Sequence, residues 1–144
     1  MKLTGFTDYS LRVLIYLALE PERLATIQGI AEAYDISENH LMKVVHHLAK
    51  SGVVESVRGK GGGIRLALPT DQIRIGRVVR EAEGDGPIVE CFSPSNQCCI
   101  SPACKLSDVL ARAFAGLYEY LDQYTLADMV QKKQPLIQIL HAMR

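Results

Sequence analysis

The chain has 144 residues, enough for one domain with a hydrophobic core and an additional arm. Its 48% hydrophobic and 22% charged residues make a globular rather than a disordered composition. Sixteen Lys and Arg balance sixteen Asp and Glu, so net charge alone points to no partner. The longest apolar run, Val13 to Leu19, directly follows Arg12 and is far too short to cross a bilayer, and the N-terminus lacks the order of a secretion signal. A cytoplasmic protein with no membrane partner is expected.

Charge is distributed unevenly. Residues 1–80 carry 11 Lys and Arg against 8 Asp and Glu, whereas residues 81–144 carry 5 against 8. Lys43, Lys50, Arg58, Lys60 and Arg65 fall in one stretch whose only acid is Glu55. A polyanion-binding face needs such a local excess, because each neutralised phosphate releases counterions. A merely solvated basic surface is the plainer alternative.

In chain order, Thr7 reads as the N-cap of a first helix carrying Leu11, Leu14, Ile15, Ala18 and Leu19 up to Pro21. Thr26 caps a short second helix with Ile27, Ile30 and Ala31, ending near Asp35. Ser37 opens a third, with Leu41, Val44, Val45 and Leu48 on one face and Gly52 as its stop. Two short helices about three residues apart are a helix-turn-helix signature. Val53 to Leu68 then reads as a hairpin around Arg58-Gly-Lys-Gly-Gly-Gly63. That loop lacks the order of a nucleotide-phosphate loop, and no helix follows it. A basic, glycine-rich hairpin after a helix-turn-helix reads as a wing.

Beyond Pro69, Ile73 to Glu83 predicts a short strand and a helix bearing Ile75, Val78, Val79 and Ala82, stopped by Gly84. Ile88 to Cys104 has little periodicity and holds all four cysteines. A long helix from about Leu106 to Tyr124 follows. Leu106, Leu110, Ala113, Leu117, Tyr120 and Tyr124 repeat along it at heptad spacing, flanked by Val109, Phe114 and Leu121, which predicts a dimerisation helix. A core helix within one chain is the alternative. Thr125 to Asp128 resembles a capping box, and Pro135 to Met143 is an apolar tail suited to covering the dimer.

The fold class expected is therefore mainly α with a small β-hairpin: a winged helix-turn-helix domain (1–84), a cysteine loop (85–105), and a dimerisation helix with a C-terminal tail (106–144). The cysteines run Cys91-x6-Cys98-Cys99-x4-Cys104, with no histidine nearby. A thiol cluster in a reducing compartment points to metal or redox chemistry. Zinc sites usually pair their cysteines two to four residues apart, and iron–sulfur clusters accept wider, irregular spacing. The spacing favours a cluster, with zinc, redox thiols and inert cysteines as alternatives. No catalytic triad order or hydrolase metal motif is present, and no enzyme is expected.

Met1-Lys-Leu-Thr-Gly-Phe-Thr-Asp-Tyr9, Val57-Arg-Gly-Lys-Gly-Gly-Gly-Ile-Arg-Leu66, Cys98-Cys-Ile-Ser-Pro-Ala-Cys-Lys-Leu106 and Tyr124-Thr-Leu-Ala-Asp128 together resemble the Rrf-type winged-helix regulators. Within them, the nitric-oxide-sensing iron–sulfur repressors are the nearest in pattern, over nearly the whole chain. The resemblance implies a homodimeric DNA-binding repressor with one iron–sulfur cluster per subunit, four-iron rather than two-iron. Cys91, Cys98 and Cys104 would hold it, with Asp8 of the other subunit completing the site and Cys99 left out. Some cluster-binding members use a histidine three residues after the last cysteine; here Ser107 stands there, which argues against their ligation. On double-stranded DNA, such a fold would present Ser37, Glu38, Asn39, His40 and Lys43 from its recognition helix. Arg58, Lys60, Gly61, Gly62 and Arg65 would meet the backbone or minor groove from its wing. A two-fold dimer implies a pseudo-palindromic operator, released when nitric oxide attacks the cluster. Sensing of redox state or cluster supply is the alternative trigger.

Overall fold

The first helix starts three residues earlier than expected. In the computed structural model, which describes residues 2–142, Thr4 is its N-cap, and Thr4 Oγ1 accepts from the Thr7 amide at 3.2 Å. Met1, Met143 and Arg144, at the ends of the first and last expected segments, lie outside the described residues. Helix α1 is Gly5–Leu19. Thr7 is buried inside its first turn, where Glu83 supplies its hydroxyl with an acceptor. A buried threonine needs such a partner, and short-range sequence gave no sign of it.

Helix α2 is Ile27–Tyr34, capped as expected by Thr26, whose Oγ1 accepts from the Gly29 amide at 3.0 Å. Asp35 ends it in the left-handed region (φ 52°), and the Ile36 amide donates back to the Ala31 carbonyl at 3.0 Å. This tight reversal launches α3 (Glu38–Lys50) from Ser37. Leu41, Val44, Val45 and Leu48 are all buried and meet Val13, Leu14, Ile30 and Ala31 in the core. The helix-turn-helix is present as read.

Strands β1 (Val54–Val57) and β2 (Gly63–Leu66) pair antiparallel, with Glu55 opposite Arg65. Ala25 and Ile64 exchange backbone hydrogen bonds of 2.8 and 3.0 Å, which ties the hairpin to the helices. At the tip, Gly61 has φ 77°, and a Cβ on Gly62 would run into the Val57 carbonyl. Both positions require glycine.

The strand expected at Ile73 shrinks to one bridge, Arg74 to Thr125, after a 3-10 turn at Thr70–Gln72. Helix α4 is Ile75–Glu83, and the cysteine loop leads from it to α5 (Lys105–Leu121). α5 runs antiparallel to α4. Gly76 abuts Asp122, and Arg80 pairs with Asp122 at 2.8 Å while its guanidinium lies 4.7 Å from the Tyr118 ring centroid. α5 stops at Leu121, so Tyr124 lies past its end, with its hydroxyl 3.1 Å from that of Tyr120.

The Thr125–Asp128 capping box opens α6 (Leu126–Met129). The apolar tail finds a surface within its own chain. It forms α7 (Lys133–Ala142), which packs on α1 and α2 of its own chain, burying Leu140 and half-burying Leu136 and Ile137. Leu140 joins the hydrophobic core that α1 and α2 build, with Leu136 and Ile137 packed against it.

Candidate nucleic-acid interface and cysteine loop

The buried stripe of α3 fixes which residues turn outward. Glu38, Asn39, His40 and Lys43 are exposed, as is Ser37 at the cap. Two ring contacts hold this helix against α1: Phe6 edge-on to His47 at 5.3 Å, and Tyr9 tilted on His40 at 6.2 Å. Met42 and His46, outside the set expected from the sequence, share this outward side. Both are exposed on α3, three and seven residues beyond Asn39, and that spacing was the available signal.

On the hairpin, Arg58, Lys60 and Gly61 are exposed and Gly62 is half-buried. Among the described residues, Lys43, Lys50, Arg58 and Lys60 take part in no ion pair, so their charge faces solvent undivided. Arg65 differs. Its Nε donates to Glu55 at 2.6 Å across the strand pair. Exposed pairs of this kind contribute at most about 1 kcal/mol, so Arg65 can exchange Glu55 for a phosphate at small cost.

The cysteine loop has more internal order than its composition suggested. Cys91 lies in a 3-10 turn, Glu90–Phe92, and Cys104 follows another, Ser101–Ala103, to become the N-cap of α5. Asn96 ties both flanks of Cys98: its Oδ1 accepts from the Cys98 amide at 2.9 Å, and its Nδ2 donates to Ser101 Oγ at 2.6 Å. The Gln97 amide donates to Glu90 at 3.2 Å, which brings the neighbours of Cys91 and Cys98 together. All four thiols are free; Cys98 and Cys99 are exposed, Cys91 and Cys104 half-buried.

Three accessible thiols within one short loop suit an iron–sulfur cluster chemically. A sulfur ligand at Cys104 also meets the positive end of the α5 dipole. Yet no three of His, Cys, Asp and Glu converge in a metal-holding group among the described residues. Asp8 stands on the exposed side of the first turn of α1, paired with Arg12 at 2.9 Å, its side chain 49% exposed. Arg12 also lies 6.0 and 5.8 Å from the Tyr9 and Tyr34 ring centroids. Burial pushes the Tyr34 hydroxyl up to about 12, despite the opposing charge of Arg12, so it stays protonated. No helix among the described residues is long and apolar enough to cross a membrane.

Comparison with known proteins bears on both halves of this arrangement. Residues 3–132 match the Rrf2 family model, described as an iron-dependent transcriptional regulator. The chain is 53% identical over 142 residues to the HTH-type transcriptional regulator NsrR of Bacillus subtilis (strain 168), covering 97% of each. It is 46% identical to the protein of the same name from Shouchella clausii (strain KSM-K16), covering 97% of this chain and 95% of that one. Among solved structures, T. potens IscR superposes with a TM-score of 0.76 at 27% identity, covering 94% of this chain and 90% of that one. CymR, the global cysteine regulator of B. subtilis, gives 0.73 at 27% identity, covering 91% and 97%.

Proposed function

Because this chain belongs to the Rrf2 family of transcriptional regulators, we propose that it is a homodimeric repressor that binds a pseudo-palindromic operator and releases it on exposure to nitric oxide. Cys91, Cys98 and Cys104 would hold one iron–sulfur cluster per subunit, four-iron rather than two-iron, with Asp8 of the second copy as the remaining ligand. The parts would be a DNA-reading winged helix-turn-helix domain (1–84), a cysteine loop (85–105), and a dimerisation helix with a C-terminal tail (106–144).

One observation carries the reading. α5 begins at Cys104 and is docked on α4 near its far end, yet buries none of its 17 residues. Leu106 and Val109 are 61% and 58% exposed, next to the cysteine loop. Water-facing apolar residues at heptad spacing call for a second helix. A partner there would bring its reading domain toward this loop, within which the thiols wait, and Asp8 is an exposed carboxylate on that domain.

When bound, such a cluster supplies iron that nitric oxide ligates. The chain's own contribution is positional. Asp8 must give up Arg12 to serve the partner's loop, and the pair re-forms when the carboxylate is released. A hundredfold change in DNA affinity corresponds to only about 2.7 kcal/mol, within reach of one ligand bond and a few hydrogen bonds. Ser37, Glu38, Asn39, His40 and Lys43 would meet base edges and phosphate, and Arg58, Lys60, Gly61, Gly62 and Arg65 would meet the backbone or the minor groove.

A second reading is response to redox state or cluster supply; it fits the four free thiols of the loop equally well, and CymR, of similar fold, is described as a cysteine regulator. Anaerobic protein titrated with nitric oxide, with visible spectra and gel shifts on each aliquot, separates the two. Bleaching in step with loss of the DNA complex supports the proposal. A chromophore indifferent to nitric oxide but responsive to oxidant selects the second reading, and zinc in place of iron sinks both.

A further inference from the structure

Met42 is out of keeping with the face that carries it. Asn39, Lys43, His46 and Lys50 make the solvent side of α3 polar and basic, and Met42 stands among them at 51% exposure. From Gly5 to Gly84 it is the one large apolar side chain left exposed among the described residues. The fold gives no reason for it. Met42 packs on nothing in the core, and alanine satisfies an exposed helical site at least as well.

The setting also narrows the occupant. One turn away on its own face are Glu38, Asn39 and His46, all polar and exposed. A protein partner seats on a contiguous apolar patch, which is missing here. The major groove of DNA instead offers a single protruding apolar group, the thymine C5-methyl, isolated among hydrogen-bond donors and acceptors. Its size suits one flexible thioether, and the surrounding Lys43, His46 and Lys50 suit the polyanion that bears it.

We propose that Met42 is a specificity-determining residue that packs on a thymine C5-methyl group in the major groove. This rests on the DNA-binding reading above. The test uses the full-length chain and the tightest duplex recovered by selection from a random pool, with each thymine replaced in turn by uracil, which removes only the methyl. The wild type is expected to lose roughly fourfold in affinity at one thymine of a half-site. Met42→Ala is expected to bind the parent duplex correspondingly more weakly and to be indifferent to uracil at that position. A thermal melt verifies that the variant folds, which its exposed helical position favours. Wild-type indifference to uracil everywhere, or equal sensitivity in Met42→Ala, overturns the proposal while leaving DNA binding intact. A changed oligomeric state in Met42→Ala overturns it in favour of a contact between copies. Failure to recover any duplex overturns the DNA-binding reading itself, and this inference with it.

Discussion

Thr7 donates its hydroxyl to the carboxylate of Glu83, joining the first turn of α1 to the last residue of α4. The same oxygen accepts from the Thr4 amide at 2.8 Å and from the Thr4 hydroxyl at 3.1 Å. Glu83 thus holds the cap of the helix that bears Asp8, and the cysteine loop begins just beyond it. Hydrogen bonds to a charged group contribute about 1.5–3 kcal/mol each, and Glu83→Ala leaves the buried Thr7 hydroxyl with the Thr4 hydroxyl, 3.1 Å away, in place of a carboxylate. The variant is expected to lose roughly 1–3 kcal/mol of stability, measured by urea unfolding at neutral pH.

The same carboxylate predicts a pH dependence. Burial pushes its pKa up, but the hydrogen bonds from Thr7 and Thr4 outweigh this and hold it below the ordinary 4.5. A depressed pKa means the folded state favours the charged form. Its stabilisation is present above about pH 4.5 and is lost as pH falls through the lower, folded-state value. Unfolding midpoints followed from pH 6 to about pH 3 should decline more steeply for the wild type than for Glu83→Gln. Parallel curves would exclude Glu83 as a contributor.

What the sequence made legible follows the range of the physics. The caps at Thr26 and Thr125, the buried stripe of α3 and the glycine-rich wing depend on residues a few positions apart, and all appear where read. At the start of α1 two threonines three positions apart compete for the cap; Thr4 takes it, and Thr7 is drawn inside by Glu83, 76 positions away. The tail from Pro135 was correctly apolar, but periodicity cannot say whether its own chain or a partner receives it, and α1 and α2 do. The outward residues expected of α3 stop at Lys43, short of His46, and leave out Met42, an apolar residue on a polar face. Among the described residues the cysteines form no converged site, because their spacing in sequence fixes the chemistry they can offer and not the shape of the loop.

Gly76 is the close-approach point between α4 and the end of α5. A Cβ there would fall on the Asp122 side chain and within 2.8 Å of its backbone nitrogen. Alanine gains up to about 1 kcal/mol of helix propensity over glycine, but overpacking costs roughly 1–3 kcal/mol. The backbone contact cannot be relieved by rotating a side chain, so the clash should win. Gly76→Ala is expected to be less stable by roughly 1–2 kcal/mol, read as a lower urea midpoint.

The wing separates two kinds of basic residue. Lys60 is unpaired and should neutralise one phosphate, so Lys60→Ala should weaken binding evenly across sequences and lower the log–log salt slope by about 0.9. Arg65 must first leave Glu55, and Arg65→Ala should cost less. Equal slopes for Lys60→Ala and wild type would remove the wing from the interface.

The four cysteines are not expected to be equivalent. Iron and acid-labile sulfide measured on anaerobically purified protein should persist in Cys99→Ser and be lost in Cys91→Ser, Cys98→Ser and Cys104→Ser. Cys99 is exposed beside Cys98, so its replacement costs the fold little. Retention of full iron in Cys98→Ser together with loss in Cys99→Ser would exchange their roles.

The exposed seam of α5 provides the sharpest test of the assembly. Leu106 and Val109 are mostly exposed within the chain, so replacing both with Glu should leave the monomer's fold and helical circular dichroism unchanged. In a dimer the same positions would be desolvated, and burying unpaired carboxylates against a symmetry-related pair is strongly unfavourable. The double variant should therefore sediment as a monomer at concentrations where the wild type is dimeric. DNA affinity should fall with it, because the two half-sites are then bound independently. If the variant instead sediments with the wild type, the heptad seam is not the dimer interface, and the exposed face of α5 has another occupant.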